Sequence, residues 1–265
     1  MRAGPTFSSL KWAGMSEADL FIKRPDEPRA AEAEAAGLRW LREASEAVVE
    51  VHDADERSLT ITRIAPVRPT PAAARRAGVE LARIHDTGAD AFGSPPPGWD
   101  GPNYIGRQRQ DCVPTEDWGT FYAEQRVRPF ARKAVRVGHL DEAGLAVVER
   151  ALAAVTAAGI TDSVARLHGD LWAGNLLFGP EGPAFIDPAA HGGHRETDLA
   201  MLALFGAPHL EEIRAGYESQ HPLPAGWLEL TPMHQLHPLA VHAASHGPSY
   251  GQALIDAARQ TLSVL

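Results

Sequence analysis

Three observations predict an α+β chain of two lobes, the first small and β-rich over residues 1–67, the second larger and mainly helical over residues 68–265. Short apolar runs of strand length crowd the first lobe around a single stretch of helical periodicity. Pro66, Pro69 and Pro71 then interrupt any continuing helix or strand, which marks a linker. Beyond them apolar residues recur mostly at helical spacing, and residues 166–201 break that pattern with clustered Asp, Asn, His and Gly. At 265 residues the chain can bury about three-quarters of its unfolded surface, so core size does not limit its stability.

Taken in order, residues 6–12 and 19–23 read as strands, 28–41 as a helix, and 48–51 and 58–64 as strands again. Lys23 closes the apolar run Leu20-Phe21-Ile22, and Glu34 lies on the helix that follows, with Glu32 as its competitor for a partner. In the second lobe, residues 73–85 carry Val79, Leu81, Ala82 and Ile84 at helical spacing, and His85 reads as a packed core histidine. Residues 94–112 are rich in Pro and Gly and read as a loop. Trp118, Phe121 and Tyr122, at i, i+3 and i+4, form the core face of a helix. Asp141 caps the next one, whose Leu145, Val148, Leu152 and Val155 make an apolar stripe. Residues 199–205 and 234–246 are helical again.

Residues 166–201 carry the chemistry. Leu176-Leu177-Phe178, a Gly-Pro-Glu-Gly turn and Ala184-Phe185-Ile186 read as a hairpin, which brings Asp170, Asn175 and Asp187 to one mouth. Each alone is an ordinary turn or cap residue. Together, an Asp five residues before an Asn with a second Asp after a hairpin matches a phosphoryl-transfer plan. In it Asp170 accepts the substrate hydroxyl proton, while Asn175 and Asp187 hold Mg²⁺ on the phosphates of ATP. Such hard oxygen ligands suit an ion that keeps much of its water. A strand lysine paired with a helix glutamate holds nucleotide phosphates in the same plan, which makes Lys23 and Glu34 the candidates.

HGDLWAGN at 168–175 followed by DPAAHGGHRETDLAM at 187–201 resembles the fructosamine kinase (ketosamine-3-kinase) family, within the protein-kinase-like superfamily. The short form, HGD and an Asn, is shared with aminoglycoside phosphotransferases and choline kinases. The longer form, with Trp172, Gly174-Asn175, GGHRE and DLAM, is sharper. FIK then EAAGL at 21–23 and 34–38, LARIH at 81–85, NYIG at 103–106 and WGTF at 118–121 with Arg126 fit the same resemblance.

The resemblance implies a protein-kinase-like two-lobed fold with ATP in the cleft. It implies an adenine-binding hinge at Thr62, Arg63 and Ile64, and a substrate entrance near Asn103. It places Trp172 against the sugar, Arg126 on a site wall, and a His-Gly-Gly-His turn, His191 to His194, in the sugar pocket. Glu196 and Asp198 would brace the catalytic loop. The implied reaction moves the γ-phosphoryl group of ATP to a sugar hydroxyl of a ketosamine, free or protein-bound, as in deglycation. A kinase for another acceptor, such as an aminoglycoside or choline, and a nucleotide-binding protein of weak or no activity are the alternatives. Two departures stand out: Cys112 replaces a commonly polar Asn, and only residues 3–8, with Gly4 and Ser8, precede the second strand, so the nucleotide lid reads as short.

A net charge of −9 and a pI near 5.7 argue against a nucleic-acid partner. A single cysteine excludes an internal disulfide, no leader pattern opens the chain, and no apolar run nears the roughly 18 residues of a membrane span. The reading is a cytoplasmic monomer. A zinc site among His191, His194, His234, His237, His242 and His246 is disfavoured, because these residues look scattered over separate helices without Cys or carboxylate support.

Overall fold

The computed structural model describes residues 17–160 and 162–265; the expected strand at 6–12, with Gly4 and Ser8, lies outside them. The first lobe is an antiparallel sheet of β1 (Leu20–Lys23), β2 (Val51–Ala54) and β3 (Leu59–Thr62), with β3 in the middle. Leu59 and Ile61 alternate inward from β3 against α1 (Ala30–Arg42), which buries Ala31, Ala35, Leu38 and Leu41. The strand expected at 48–51 begins only at Val51. Val48 makes a single parallel bridge to Phe185, and Val49 N–H donates to Phe185 O at 3.1 Å, so this segment ties the first lobe to the second.

Pro71 opens α2 (Pro71–Asp86), and Thr70 Oγ1 accepts Ala73 N–H at 3.2 Å. Residues 94–112, expected as loop, contain the hairpin β4 (Asn103–Ile105) and β5 (Gln108–Gln110), turned at Gly106 with φ +54°. Then come α3 (Trp118–Phe121), a π turn (Tyr122–Val127), α4 (Arg128–Arg136) and α5 (Glu142–Ala157). Asp141 caps the last as expected, accepting Gly144 N–H at 2.7 Å. Four short strands follow, β6 (Ala165–Leu167), β7 (Leu176–Gly179), β8 (Gly182–Phe185) and β9 (His191–Gly193), paired β6 with β9 and β7 with β8. The chain closes with α6 (Glu196–Leu204), α7 (Leu210–Glu218), α8 (Thr231–His234), α9 (Leu236–Ala243) and α10 (Pro248–Val264).

One apolar core crosses the lobe boundary, joining Leu38 and Leu59 to Leu81, Leu171, Phe185 and Tyr217. A second, of Phe121, Tyr122, Leu152, Met233 and Leu254, lies wholly in the helical lobe. The helices α2 and α7 touch backbone to backbone. A Cβ on Gly78 would stand 1.8 Å from Ile213 O, and one on Gly216 1.9 Å from Arg75 O. Among the described residues no helix is long and apolar enough to cross a membrane.

Candidate active site

The loop between β6 and β7 is shaped by hydrogen bonds before it does any chemistry. Gly169 sits at φ +81°, where a Cβ would be 2.3 Å from Ala189 O. Asp198, on α6, accepts the backbone N–H groups of His168 (2.8 Å) and Gly169 (3.0 Å). His168 donates Nε2–H to Ile186 O at 2.8 Å, linking the loop to the far end of the hairpin.

Behind Asp198 runs a buried chain of consistent polarity. Arg195 Nη1 donates to Tyr217 Oη (3.0 Å), Tyr217 donates to His85 Nδ1 (2.8 Å), and His85 Nε2–H donates to Asp198 (3.1 Å). Burial holds His85 below its usual range, so it stays neutral. Burial alone would push Asp198 up, but the hydrogen bonds it accepts from His85 and the Gly169 N–H hold it below the usual carboxylate range.

The β7–β8 hairpin pairs Leu176 with Phe185 and so returns the chain to its starting point. Asn175 Nδ2 donates to Asp170 O at 2.8 Å and lies 3.3 Å from Asp170 Oδ2 and 3.4 Å from Asp187 O. Its amide nitrogen thus faces the loop, and Oδ1 is its remaining acceptor. Asp187 adopts φ +56°, a conformation that costs a non-glycine residue energy and aims its carboxylate at the first lobe. There Lys23 Nζ reaches Asp187 Oδ1 at 2.9 Å and Glu34 Oε2 at 2.6 Å. Burial pulls the Lys23 ammonium down, but attraction to Glu34 and Asp187 outweighs it and the lysine stays charged. Burial, reinforced by the Asp187 and Asp198 charges, pushes Asp170 up to about 7.

Lys23, Glu34, Asp170, Asn175 and Asp187 all line one cavity of about 370 Å³ between the lobes. Trp172 stands on its wall, 43% exposed, and its ring lies where a Cβ on Gly174 would be, 2.3 Å away. Asn103 and Tyr104 of the β4–β5 hairpin complete the opposite side; Asn103 is fixed by donating to Ala190 O and accepting from Gln110, both at 3.0 Å.

Other expected residues stand apart from this cavity. Arg126 is buried among main-chain and ring partners: it donates to Asp111 O (2.6 Å) and to His191 Nε2 (3.4 Å) and lies 4.5 Å over the Phe121 ring. His191 donates Nδ1–H to Ala189 O, and burial lowers its pKa to about 3. The His-Gly-Gly-His segment is not a turn but mostly strand β9, and its glycines make room for the protein itself. A Cβ on Gly192 would meet Ala91 O at 2.2 Å, and one on Gly193 would meet Leu167 Cδ1 at 2.3 Å. His194 and Glu196 face Asp162 and His234 rather than the catalytic loop, so of the two acids expected to brace it only Asp198 does. Thr62, Arg63 and Ile64 line a separate cavity of about 450 Å³. The N–H groups of Thr62 and Arg63 already donate to Glu50 O and Asp19 O, which leaves Ile64 as the main-chain donor of the three.

A model of the family described as fructosamine kinase matches residues 10–264. The chain belongs to that family. It is 38% identical over 200 residues to "Probable ketoamine kinase YniA" of Escherichia coli, covering 72% of this chain and 64% of that one. The chain therefore spans about two thirds of the length of the first curated relatives. A solved structure from Thermobifida fusca, carrying the provisional name fructosamine-3-kinase, superposes with a TM-score of 0.85 at 44% identity, covering 92% of this chain and 85% of that one. Choline kinase LicA of Streptococcus pneumoniae, at 15% identity and a TM-score of 0.57 over 92% of this chain and 86% of that one, shares the fold alone. The fold is the protein-kinase-like α+β one.

Within this fructosamine kinase family member, several cavity residues escaped sequence reasoning. Asp26, Glu27 and Arg107 line the cleft, with Arg107 Nη2 3.4 Å from Asp26 Oδ2 across the lobes. Charged loop residues are the ordinary covering of a protein, so no signal marked them. His85 is a core histidine as expected, but its place in the chain behind Asp198 depends on Tyr217, 132 positions away.

Proposed function

We propose that this protein is an ATP-dependent kinase that phosphorylates a sugar hydroxyl of ketosamines, a cytoplasmic deglycation activity carried by a single chain. One observation carries the reading: a base-competent carboxylate, two hard oxygen donors and a braced lysine meet in one cavity beside an exposed tryptophan. That set fits Mg·ATP, because the Asp187 carboxylate and Asn175 Oδ1 are the oxygen donors a small hard cation takes. Mg²⁺ held by them would neutralise charge on the transferring phosphate.

Each residue then has one task. Lys23, held by Glu34, binds the nucleotide phosphates, and Ile64, with Thr62 and Arg63, supplies the main-chain edge for adenine. Asp170 accepts the proton of the attacking hydroxyl as the new O–P bond forms and ADP leaves with the old one. A pKa of about 7 suits that task, since a base poised near ambient pH combines availability with driving force. Trp172 offers a flat apolar face to a sugar ring.

ADP release with Mg·ATP would be followed with fructoselysine and ribuloselysine, beside choline and an aminoglycoside. Turnover confined to the ketosamines is the expected result. Turnover on choline or the aminoglycoside alone overturns the acceptor assignment, and no turnover on any acceptor overturns the activity.

A further inference from the structure

Where the start of α6 meets the end of α8, three buried side chains converge. His194, Glu196 and His234 each offer one ligand atom, and these atoms all lie within 4.8 Å of one another. Sequence reasoning dismissed these histidines as scattered. The fold brings the start of α6 against the end of α8 and adds the missing carboxylate.

Two of the three groups are unsatisfied. Glu196 Oε2 and His234 Nε2 stand 3.3 Å apart, both buried, and neither has a hydrogen-bond partner. With His234 donating its Nδ1–H to Thr197 Oγ1 at 3.1 Å, its Nε2 carries a lone pair. A lone pair then faces a carboxylate oxygen. Two buried acceptors in that arrangement destabilise the fold unless a proton or a cation lies between them, and a cation also engages His194. A tetrahedral ion with bonds of about 2.1 Å separates its ligand atoms by roughly 3.4 Å, which the Glu196–His234 pair already matches. Asp162 Oδ2 lies 3.7 Å from His194 Nε2 but is held by Arg195 Nε at 3.2 Å, so the fourth position is left to water. The neighbouring Arg195 guanidinium would repel a cation, but it is paired to Asp86 (3.0 Å) and Asp162 (3.2 Å). A cavity of about 410 Å³ lined by Asp162, His194, Glu196 and His221 gives a route in.

We propose that His194, Glu196 and His234, with water in the fourth position, bind a divalent ion of the zinc class. Imidazole donors select such an ion over Mg²⁺. The site is structural: it clamps α6 to α8, and α6 carries the Asp198 that holds the catalytic loop. It is independent of the phosphoryl-transfer site and of the acceptor.

The test uses the full, tag-free chain, stripped with a chelator, in an Asp187→Asn background that weakens cation binding in the cleft. Cobalt(II) titration should give one equivalent of the intense visible band of four-coordinate cobalt, displaced by Zn²⁺, and Zn²⁺ should raise the melting temperature. Glu196→Gln should weaken Zn²⁺ binding by about 100-fold or more, since even partners one bond removed from a metal are worth about 10–100-fold. X-ray absorption of the zinc-loaded protein should show two imidazole nitrogens around the ion, a reading that needs no mutation in the cluster. Absence of the band, a shell of oxygen alone, or an unchanged band in a folded Glu196→Gln variant would each overturn the proposal; the first would mean that Glu196 and His234 share a proton instead.

Discussion

His85 donates to Asp198 across 3.1 Å, although 113 positions separate them, and through that bond the helical lobe reaches the catalytic loop. Two of the loop's own N–H groups donate to the same carboxylate, one to each oxygen, so Asp198 is held from both sides. Replacing His85 by Phe keeps the ring volume but leaves Tyr217 Oη without its acceptor and Asp198 without a donor. Unsatisfied buried groups cost about 1–3 kcal/mol each. Urea denaturation should report a loss of about 2–6 kcal/mol for the two groups, and kcat on a ketosamine should fall more than the KM for ATP changes. Unchanged stability would show that the chain carries no structural weight.

What could be read in advance was local. The hairpin, the Asp170–Asn175 spacing and the Lys23–Glu34 separation lie within short stretches, where turn chemistry and strand length govern the outcome. What escaped depended on distant partners. The β4–β5 hairpin hides in a Pro- and Gly-rich segment because its pairing, Asn103 with Gln110, is fixed by side-chain bonds rather than by apolar alternation. Strand β9 has two glycines and hence no periodicity to read; only its pairing with β6 defines it. Arg126 is expected on a site wall, yet its planar donors find a carbonyl and a ring nitrogen in the core, which composition cannot foretell. The Glu196–His234 approach is of the same kind.

Asp170→Asn tests the base directly. Removing a positioned general base costs about 10²–10⁴ in rate, so kcat should fall by that factor while circular dichroism stays unchanged. A variant retaining more than about a tenth of wild-type turnover would remove Asp170 from that role. Stability gives a second reading. The folded pKa of Asp170 is raised to about 7, above the unfolded value of about 3.9. The stability linked to its protonation is therefore full below about 3.9 and lost as pH rises through 7. Without Mg²⁺, Asp170→Asn should melt above wild type at pH 8, with the gap narrowing by more than half at pH 5 and closing only below about 3.9.

Lys23→Met separates nucleotide binding from folding. A ligand that binds only the native state must raise its melting temperature, so Mg·ATP should do so for wild type. Lys23→Met removes a charge-assisted contact to the phosphates, worth about 1.5–3 kcal/mol, which is about 10–150-fold in affinity. The Mg·ATP shift should shrink accordingly. A full shift in the variant would mean that Lys23 does not touch the nucleotide.

Acid should unfold the metal-free protein earlier than its carboxylates alone would. Burial lowers His191 and His234 to about 3, against an unfolded histidine near 6.5. The folded state therefore holds them neutral while the unfolded chain takes up protons, so unfolding binds protons below 6.5. By linkage the stability they contribute is whole above 6.5 and drains away as pH falls toward 3. At pH 5 each such histidine removes roughly 2 kcal/mol, and two of them remove a large share of a typical 5–15 kcal/mol. Urea midpoints should fall steeply between pH 6.5 and pH 5. His191→Gln, which cannot titrate, should flatten that slope by about one proton's worth while costing some stability at pH 8. An unchanged slope would mean that His191 meets solvent in the native state.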